Sequence, residues 1–200
     1  MHLAVNDGEV ERLLDAAWRV LARGSWHGLT VDAVLAESGL STRSFYRHFD
    51  GKSSLLLALM EDEVCRGVDR LRQIVKRQAD PAAGLVAYIE AITRLARDKR
   101  TAPRVRLFGQ LLHTMEYEQP AAVSVLILRL AEPLLICVEA GTASGRFSVG
   151  DPREEALALY YLIGMTNHHQ TDGTLLPHWQ VVAVLSRVVL AALGVRPPVI

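Results

Sequence analysis

Apolar residues recur along this chain with the period of an α-helix, and nowhere with the strict alternation of a half-buried strand. Val10, Leu13, Leu14, Ala17, Trp18 and Leu21 fall at i, i+3, i+4, i+7, i+8 and i+11, one stripe of a helix. Asp7 suits its N-cap and Gly24 its end. Thr30 suits the N-cap of a short second helix holding Val31, Val34 and Leu35, with Asp32 in the first turn where the helix dipole favours an anion. Gly39 supplies the left-handed residue that a tight helix–helix turn needs. Ser41 caps a third short helix, and Asp50 or Gly51 caps a long fourth one running to about Arg77. Asp80-Pro81 marks a break. Further helices are expected at about 82–99, 104–116, 120–143, 152–169 and 176–193. Pro103 and Pro120 sit where helices start, and Pro133 should kink the segment that contains it. Asp151-Pro152-Arg153-Glu154 combines a cap, a first-turn proline and a capping-box glutamate. Gly194 ends the last helix, and Arg196-Pro197-Pro198 cannot continue it. The expected fold is all-α: a three-helix N-terminal unit over 1–54, a connecting helix from about 52 to 77, and a helical body over 55–200.

The third helix holds the most distinctive chemistry. Phe45 and Phe49 are four apart and share one face, while Arg43 and Arg47, also four apart, lie roughly opposite. Packing the phenylalanines on the first helix therefore aims both arginines outward, with Ser44 and Tyr46 flanking that face. Two short helices around a glycine turn, the second bearing Ser, Thr, Arg, Tyr and His side chains, suit a helix-turn-helix whose second helix enters the major groove of DNA. Arginine at a base edge pairs bidentately with guanine, worth about 1–3 kcal/mol of discrimination. Tyr, Ser, Thr and His more often hold phosphates. Lys52 opens a helix, where the dipole disfavours a cation; either an external phosphate or a neighbouring acid such as Asp50 compensates.

Charge complicates this picture. The 200 residues balance at 22 basic and 22 acidic, and residues 1–54 hold six basic against seven acidic, so the DNA-binding candidate is not basic as a whole. Residues 66–106 hold eleven basic and four acidic, and 107–200 hold five and eight. The basic middle is read first as a solvated helix face and second as another contact surface. The two cysteines, Cys65 and Cys137, give no metal spacing and no disulfide framework. The N-terminus lacks the pattern of a signal peptide. The apolar run around 181–193 is interrupted by Ser186 and Arg187 and is too short to span a bilayer, so a soluble, cytoplasmic protein without a membrane partner is expected.

Over about residues 10–60 the chain resembles the TetR family of bacterial transcriptional regulators. The resemblance rests on Thr30-Val31, Gly39-Leu40-Ser41, Phe45-Tyr46-Arg47-His48-Phe49 and Lys52 followed by Leu55; Tyr-x-His-Phe with lysine three residues on is its sharpest part. It implies DNA contacts by Thr30, Ser41, Tyr46, His48 and Lys52, to which the outward face of the third helix adds Thr42, Arg43, Ser44 and Arg47. It also implies a helical C-terminal domain for ligand binding and dimerisation. Three positions depart from the family's habit. Thr42-Arg43 replaces a basic residue followed by a small one, which marks Arg43 as the residue that sets this chain's own operator preference. Leu35 stands where a small residue is common. Ser53 stands where glutamate often completes a capping box.

These features imply a non-enzymatic transcriptional regulator: a homodimeric repressor on a palindromic double-stranded operator, released by a small hydrophobic effector. Two alternatives stay open, a DNA-binding regulator without an effector and a small-molecule-binding protein or enzyme with a vestigial DNA-binding unit. Tyr88, Ile92, Phe108, Leu112, Met115, Leu126 and Leu130 are core residues by spacing, and the resemblance opens part of that core into an effector pocket. Leu157, Tyr160, Tyr161, Gly164 and His168 on the eighth helix, with Val182, Leu185 and Val189 in a stripe ending at Leu193 on the ninth, are the expected dimer seam as well as core. By resemblance, the arginine-rich stretch 94–106 lies at the base of the body, where it either transmits the effector signal or touches DNA. His168-His169 with Asp172 make a poor metal site, since adjacent helical histidines diverge by about 100°; His113 and Glu116, three apart on one helix face, permit a metal ligand or a polar pocket wall, and without a second pair are read first as solvated or pocket-lining. No cofactor or metal is expected.

Overall fold

The computed structural model describes residues 3–24, 28–170 and 176–195, with side chains from residue 8 onward and none described over 167–170. The described residues form nine helices and no strand: α1 Leu3–Arg23, α2 Val31–Ser38, α3 Thr42–His48, α4 Lys52–Lys76, α5 Pro81–Arg97, α6 Ala102–Glu118, α7 Pro120–Ala143, α8 Pro152–Gln170 and α9 His178–Ala192. They divide into two compact units. The first comprises residues up to Glu63 with Leu107–Val123; the second comprises Val64–Arg106 with the chain from Ser124 on.

In the first unit α1 packs on α2 and α3. Its stripe buries Leu13, Ala16, Ala17, Trp18 and Leu21. Val10 and Leu14 sit at the margin, half-buried. Leu29, Val34, Phe45, Phe49, Leu55, Leu56, Leu59 and Met60 complete the core contributed by residues up to 63, and Leu111 and Met115 of α6 are buried in the same unit. Helix α1 begins at Leu3, so Asp7 lies inside it and is not its N-cap. The other start and stop signals act as local chemistry demands. Thr30 Oγ1 accepts from the N–H of Ala33 at 3.1 Å, and Ser41 Oγ accepts from the N–H of Ser44 at 3.1 Å. Gly39 takes φ +67° and its N–H donates to the carbonyl of Leu35 at 2.9 Å, a left-handed ending that an L side chain would strain. At the start of α4 the reciprocal half of a capping box comes from Ser54 and not from position 53. Its hydroxyl accepts from the N–H of Gly51 at 3.2 Å. Ser53 instead donates to Glu118 at 3.2 Å.

In the second unit α5 packs on α8 and α9. The core joins Leu71 and Val75 of α4, Leu85, Tyr88 and Ile89 of α5, Leu134, Cys137 and Val138 of α7, Leu159 and Ile163 of α8, Val181, Leu185 and Val189 of α9, and Leu193 just after it. Burial pushes the Cys137 thiol up to about 12, so it is an inert core group. Asp80 caps α5 ahead of Pro81, and Asp151 Oδ1 accepts from the N–H of Arg153 at 2.8 Å to open α8. Helix α7 continues through Pro133. After it the chain turns so sharply that a Cβ on Gly141 would lie 2.0 Å from the Phe147 ring. Only glycine admits that approach without moving a buried aromatic. Gly194, at φ +76°, ends α9. The segment 196–198 lies outside the described residues.

Helix α7 corrects one expectation from the sequence. It spans 24 residues and contains an 18-residue window of mean hydropathy 2.1, long and apolar enough to cross a membrane, and it exceeds the run around 181–193. Val123, Leu126, Ile127, Ala131, Leu134, Cys137 and Val138 are buried at helical spacing, while Glu132 pairs with Arg72 at 2.9 Å. A buried stripe with a charged flank fits a core helix.

Candidate nucleic-acid interface

Helix α3 is short and depends on its neighbours for position. Phe45 is fully buried, with ring contacts to Phe49 at 5.6 Å and to Tyr46 at 5.3 Å. The Tyr46 ring therefore stands edge-on against a fixed support while remaining 57 % exposed. Thr30, Ser41, Thr42, Arg43 and Arg47 are also exposed, and Lys52 is half-buried in the first turn of α4. Because Thr30 accepts with its oxygen, its hydroxyl proton is available to donate outward.

Two of the expected outward residues turn inward. The Ser44 side chain is buried, and its hydroxyl donates to Glu9 Oε1 at 3.3 Å. The His48 side chain is only 6 % exposed, and its Nε2 lies 3.0 Å from Glu9 Oε2. A carboxylate only accepts, so Nε2 carries the proton. Both residues lie on the flank of α3 that faces α1. They clamp the helix and do not project from it.

Glu9 is the residue that sequence reasoning missed. It gathers Ser44, His48 and, at 3.5 Å, Arg47 onto a single carboxylate. Its partners are 35 to 39 positions away, and no local pattern announces the pairing. The hydrogen bond from His48, aided by the nearby Arg47 charge, holds its carboxyl below the usual 4.5. A lowered carboxyl stabilises the folded unit above its ordinary value and loses that effect as pH falls through the lowered one. Glu9→Gln should therefore melt earlier than the unaltered chain at pH 7, and the gap should be smaller at a second pH below 4.5. A gap independent of pH in thermal melts at the two pH values would contradict this role.

Other arginines of the segment are engaged in the same way. Arg19 and Arg23 both pair with Glu37, at 2.7 and 2.6 Å, and hold its carboxyl below 4.5. Arg12 donates to the carbonyl of Ser38 at 2.8 Å. Among the described residues, Arg43 is the one arginine of the helix-turn-helix segment with no hydrogen bond or ion pair. It is exposed on the outer face of α3 and available to a base edge.

The residues expected at a pocket are not all in one unit. Phe108, Leu112 and Met115 belong to the first, while Tyr88, Ile92, Leu126 and Leu130 belong to the second. Tyr88, Met115 and Leu126 are buried, and the other four are half-buried. Burial holds the Tyr88 phenol well above its ordinary 10.

The residues expected at the dimer seam divide between core and surface. Leu185, Val189 and Leu193 are committed to the second unit's own core, where Leu157, Tyr160 and Val182 are half-buried. The exposed large apolar positions are Tyr161, Leu162 and Met165 on α8, and Trp179, Val184 and Val188 on α9. Gly164 lies beside them, with nothing within 4 Å of an added Cβ. The His168 side chain, like those of His169 and Asp172, lies outside the described residues. Among the described residues no cluster of three His, Cys, Asp or Glu side chains is placed to hold a metal ion.

Residues 13–59 match the family described as bacterial regulatory proteins, tetR family. No curated protein matches the chain in sequence. Solved structures match it over nearly their whole length. The protein RolR in complex with resorcinol is 17 % identical, with a TM-score of 0.72 over 98 % of this chain and 92 % of that one. The regulator FadR from Bacillus subtilis in complex with stearoyl-CoA is 20 % identical, with a TM-score of 0.72 over 92 % and 96 %. A TetR-family transcriptional regulator from Agrobacterium tumefaciens is 18 % identical, with a TM-score of 0.67 over 94 % and 98 %. At such identities the whole-chain likeness is one of fold. Residues 13–59 thus carry the N-terminal unit of the tetR family of bacterial regulatory proteins, on an all-helical fold shared with solved TetR-family regulators.

Proposed function

We propose that the chain acts in the cytoplasm as a homodimeric repressor that binds a palindromic operator and releases it on binding a small hydrophobic molecule. One observation carries the DNA-reading half of this proposal. Helix α3 is clamped from inside by Phe45, Ser44 and His48, and presents Thr42, Arg43 and Tyr46 outward on a fixed support. A helix held in this way reads base edges through Arg43 and takes phosphates on Thr30, Ser41, Tyr46, Arg47 and Lys52. A single such unit reads few base pairs, so useful specificity calls for two-fold symmetry and two half-sites. The exposed apolar side chains on α8 and α9 support that symmetry, since exposed apolar patches mark association surfaces. The effector half rests on the relatives of this fold crystallised with resorcinol and with stearoyl-CoA, and on the apolar cores of both units. These ligands share an apolar body and differ in head group, so the class proposed is a hydrophobic small molecule bound within the helical body, residues 55–200.

Lys52 supplies the test of the DNA-reading half. As a phosphate anchor at a helix N-terminus it contributes to every sequence alike. Lys52→Ala should weaken specific and non-specific duplexes by the same factor and lower the magnitude of the salt slope by about one per protomer engaged. Anisotropy titrations at several salt concentrations read both quantities. An unchanged slope would remove Lys52 from the interface.

A further inference from the structure

Charge is divided unevenly between the two units. The unit carrying the helix-turn-helix holds six basic and twelve acidic residues; the other holds sixteen basic and ten acidic. The DNA-reading unit is therefore formally −6 and its companion +6. Neutralising phosphates supplies nearly all non-specific affinity for DNA and a large share of specific affinity. Four of the six cations in the reading unit are already engaged within it, Arg12 by a carbonyl, Arg19 and Arg23 by Glu37, and Arg47 by Glu9. That unit alone is poorly equipped to hold a polyanion.

The missing charge is concentrated around one turn. Arg94, Arg97, Lys99, Arg100, Arg104 and Arg106 fall within thirteen residues, with Asp98 as the single acid; Arg94 pairs with Glu90 and Arg97 donates to the carbonyl of Leu176. Lys99 and Arg100 occupy the turn between α5 and α6, Arg104 and Arg106 follow at the start of α6, and all four are exposed. Asp98 does not neutralise the turn. Its carboxylate accepts from the backbone N–H of Arg100 at 2.7 Å and closes the loop. Among the described residues the side chains of Lys99 and Arg100 make no hydrogen bond or ion pair. The first turn of α6 contains no acid and is followed by cations, the reverse of what its dipole favours. Lys99 and Arg100, adjacent, exposed and without an internal partner, repel one another, and an external polyanion relieves that repulsion.

Resting on the DNA-binding reading above, we propose that the α5–α6 turn is a second DNA-contacting surface, where Lys99, Arg100 and Arg104 hold backbone phosphates without reading bases. Helix α6 runs unbroken from this cluster into the reading unit, Arg106 and Leu107 being consecutive residues on either side of the division. Contact by either unit therefore raises the effective concentration of the other on the same duplex. In this arrangement base recognition belongs to α3, and much of the salt-dependent affinity belongs to the turn.

The test compares the full chain with its Lys99→Gln/Arg100→Gln variant, using a duplex of arbitrary sequence, a duplex selected by the unaltered chain from a random pool, and phosphatidylserine vesicles. The variant should bind the arbitrary duplex about tenfold more weakly at low salt, with the salt slope reduced in magnitude by roughly two per protomer engaged. The ratio of selected to arbitrary affinity should stay the same, because no base contact is lost. Unchanged affinity and slope would overturn the proposal and leave α3 as the whole DNA interface. A variant that keeps its DNA affinity but loses vesicle binding would also overturn it, assigning the turn to an anionic membrane surface. If the unaltered chain binds no duplex at all, the DNA-binding reading itself falls, and this proposal with it.

Discussion

Val188→Glu is expected to leave each protomer folded and to remove operator binding. Val188 is 43 % exposed on α9, and nothing in the second unit's core depends on it. Val184 on the same helix, and Tyr161, Leu162 and Met165 on α8, are also exposed apolar side chains. A glutamate there is harmless to an isolated protomer in water. In a desolvated seam it leaves a buried carboxylate without a partner, and two-fold symmetry places a second copy in the same seam. Separated protomers lose the advantage of two linked half-site contacts, which is worth about 10²–10⁴ in apparent affinity. Sedimentation should show a shift to monomer, circular dichroism should show unchanged helicity, and operator affinity should fall by at least about a hundredfold. Gly164→Leu offers an independent check. An added side chain meets nothing within 4 Å in the protomer, and leucine favours a helix over glycine by up to about 1 kcal/mol. Weakened dimerisation without loss of helix in that variant would therefore report on the seam alone. A normal dimer with normal affinity in both variants would place the interface elsewhere.

The second large effect belongs to Phe45. It is fully buried, touches Phe49 and Tyr46, and seats α3 in the first unit. Phe45→Ala removes that seat at a cost of about 3–5 kcal/mol, a large part of the 5–15 kcal/mol that holds a typical domain folded. The second unit contains no residue before Val64, so its helices should survive. The expected result is a partial loss of helical signal, a separate low-temperature melting step and no detectable operator binding. Tyr46→Ala is the contrast. Its exposed side chain should leave melting nearly unchanged and weaken DNA binding only. Identical melting of Phe45→Ala and the unaltered chain would contradict the assigned packing.

Local chemistry explains what the sequence made legible. Thr30, Gly39 and Ser41 each satisfy a backbone requirement within five residues, so their roles as two caps and a left-handed ending follow from residue type and spacing. The α1 stripe and the inward pairing of Phe45 with Phe49 follow from helical period. The remainder depends on which neighbour covers which flank. Ser44 and His48 lie beside the phenylalanine face, and only the packing of α1 decides that they meet Glu9. Helix α9 carries two apolar stripes, one through Val181, Leu185 and Val189 and another through Val184 and Val188. Periodicity alone does not tell core from association surface, since both bury the same kind of side chain. Helix α7 is apolar on most of its circumference, so composition does not separate a core helix from a membrane-crossing one. The division of charge was visible only in part. The excess over 66–106 stands in the sequence, but the acidity of the reading unit emerges once its bounds take in Glu61, Asp62 and Glu63 and Leu107–Val123 joins it.

The central claim is that two copies of α3 read a symmetric site and that Arg43 sets its sequence. It is tested most directly by selecting bound duplexes from a random pool, in parallel, with the unaltered chain and with Arg43→Ala. The account predicts enrichment of a palindrome whose half-sites lie about one helical turn, or a multiple of it, apart. In the Arg43→Ala pool the preference should broaden at one equivalent position in both half-sites, with a loss of about 1–3 kcal/mol of discrimination there. Enrichment of no sequence above the starting pool, or of an asymmetric site indifferent to Arg43, would contradict it.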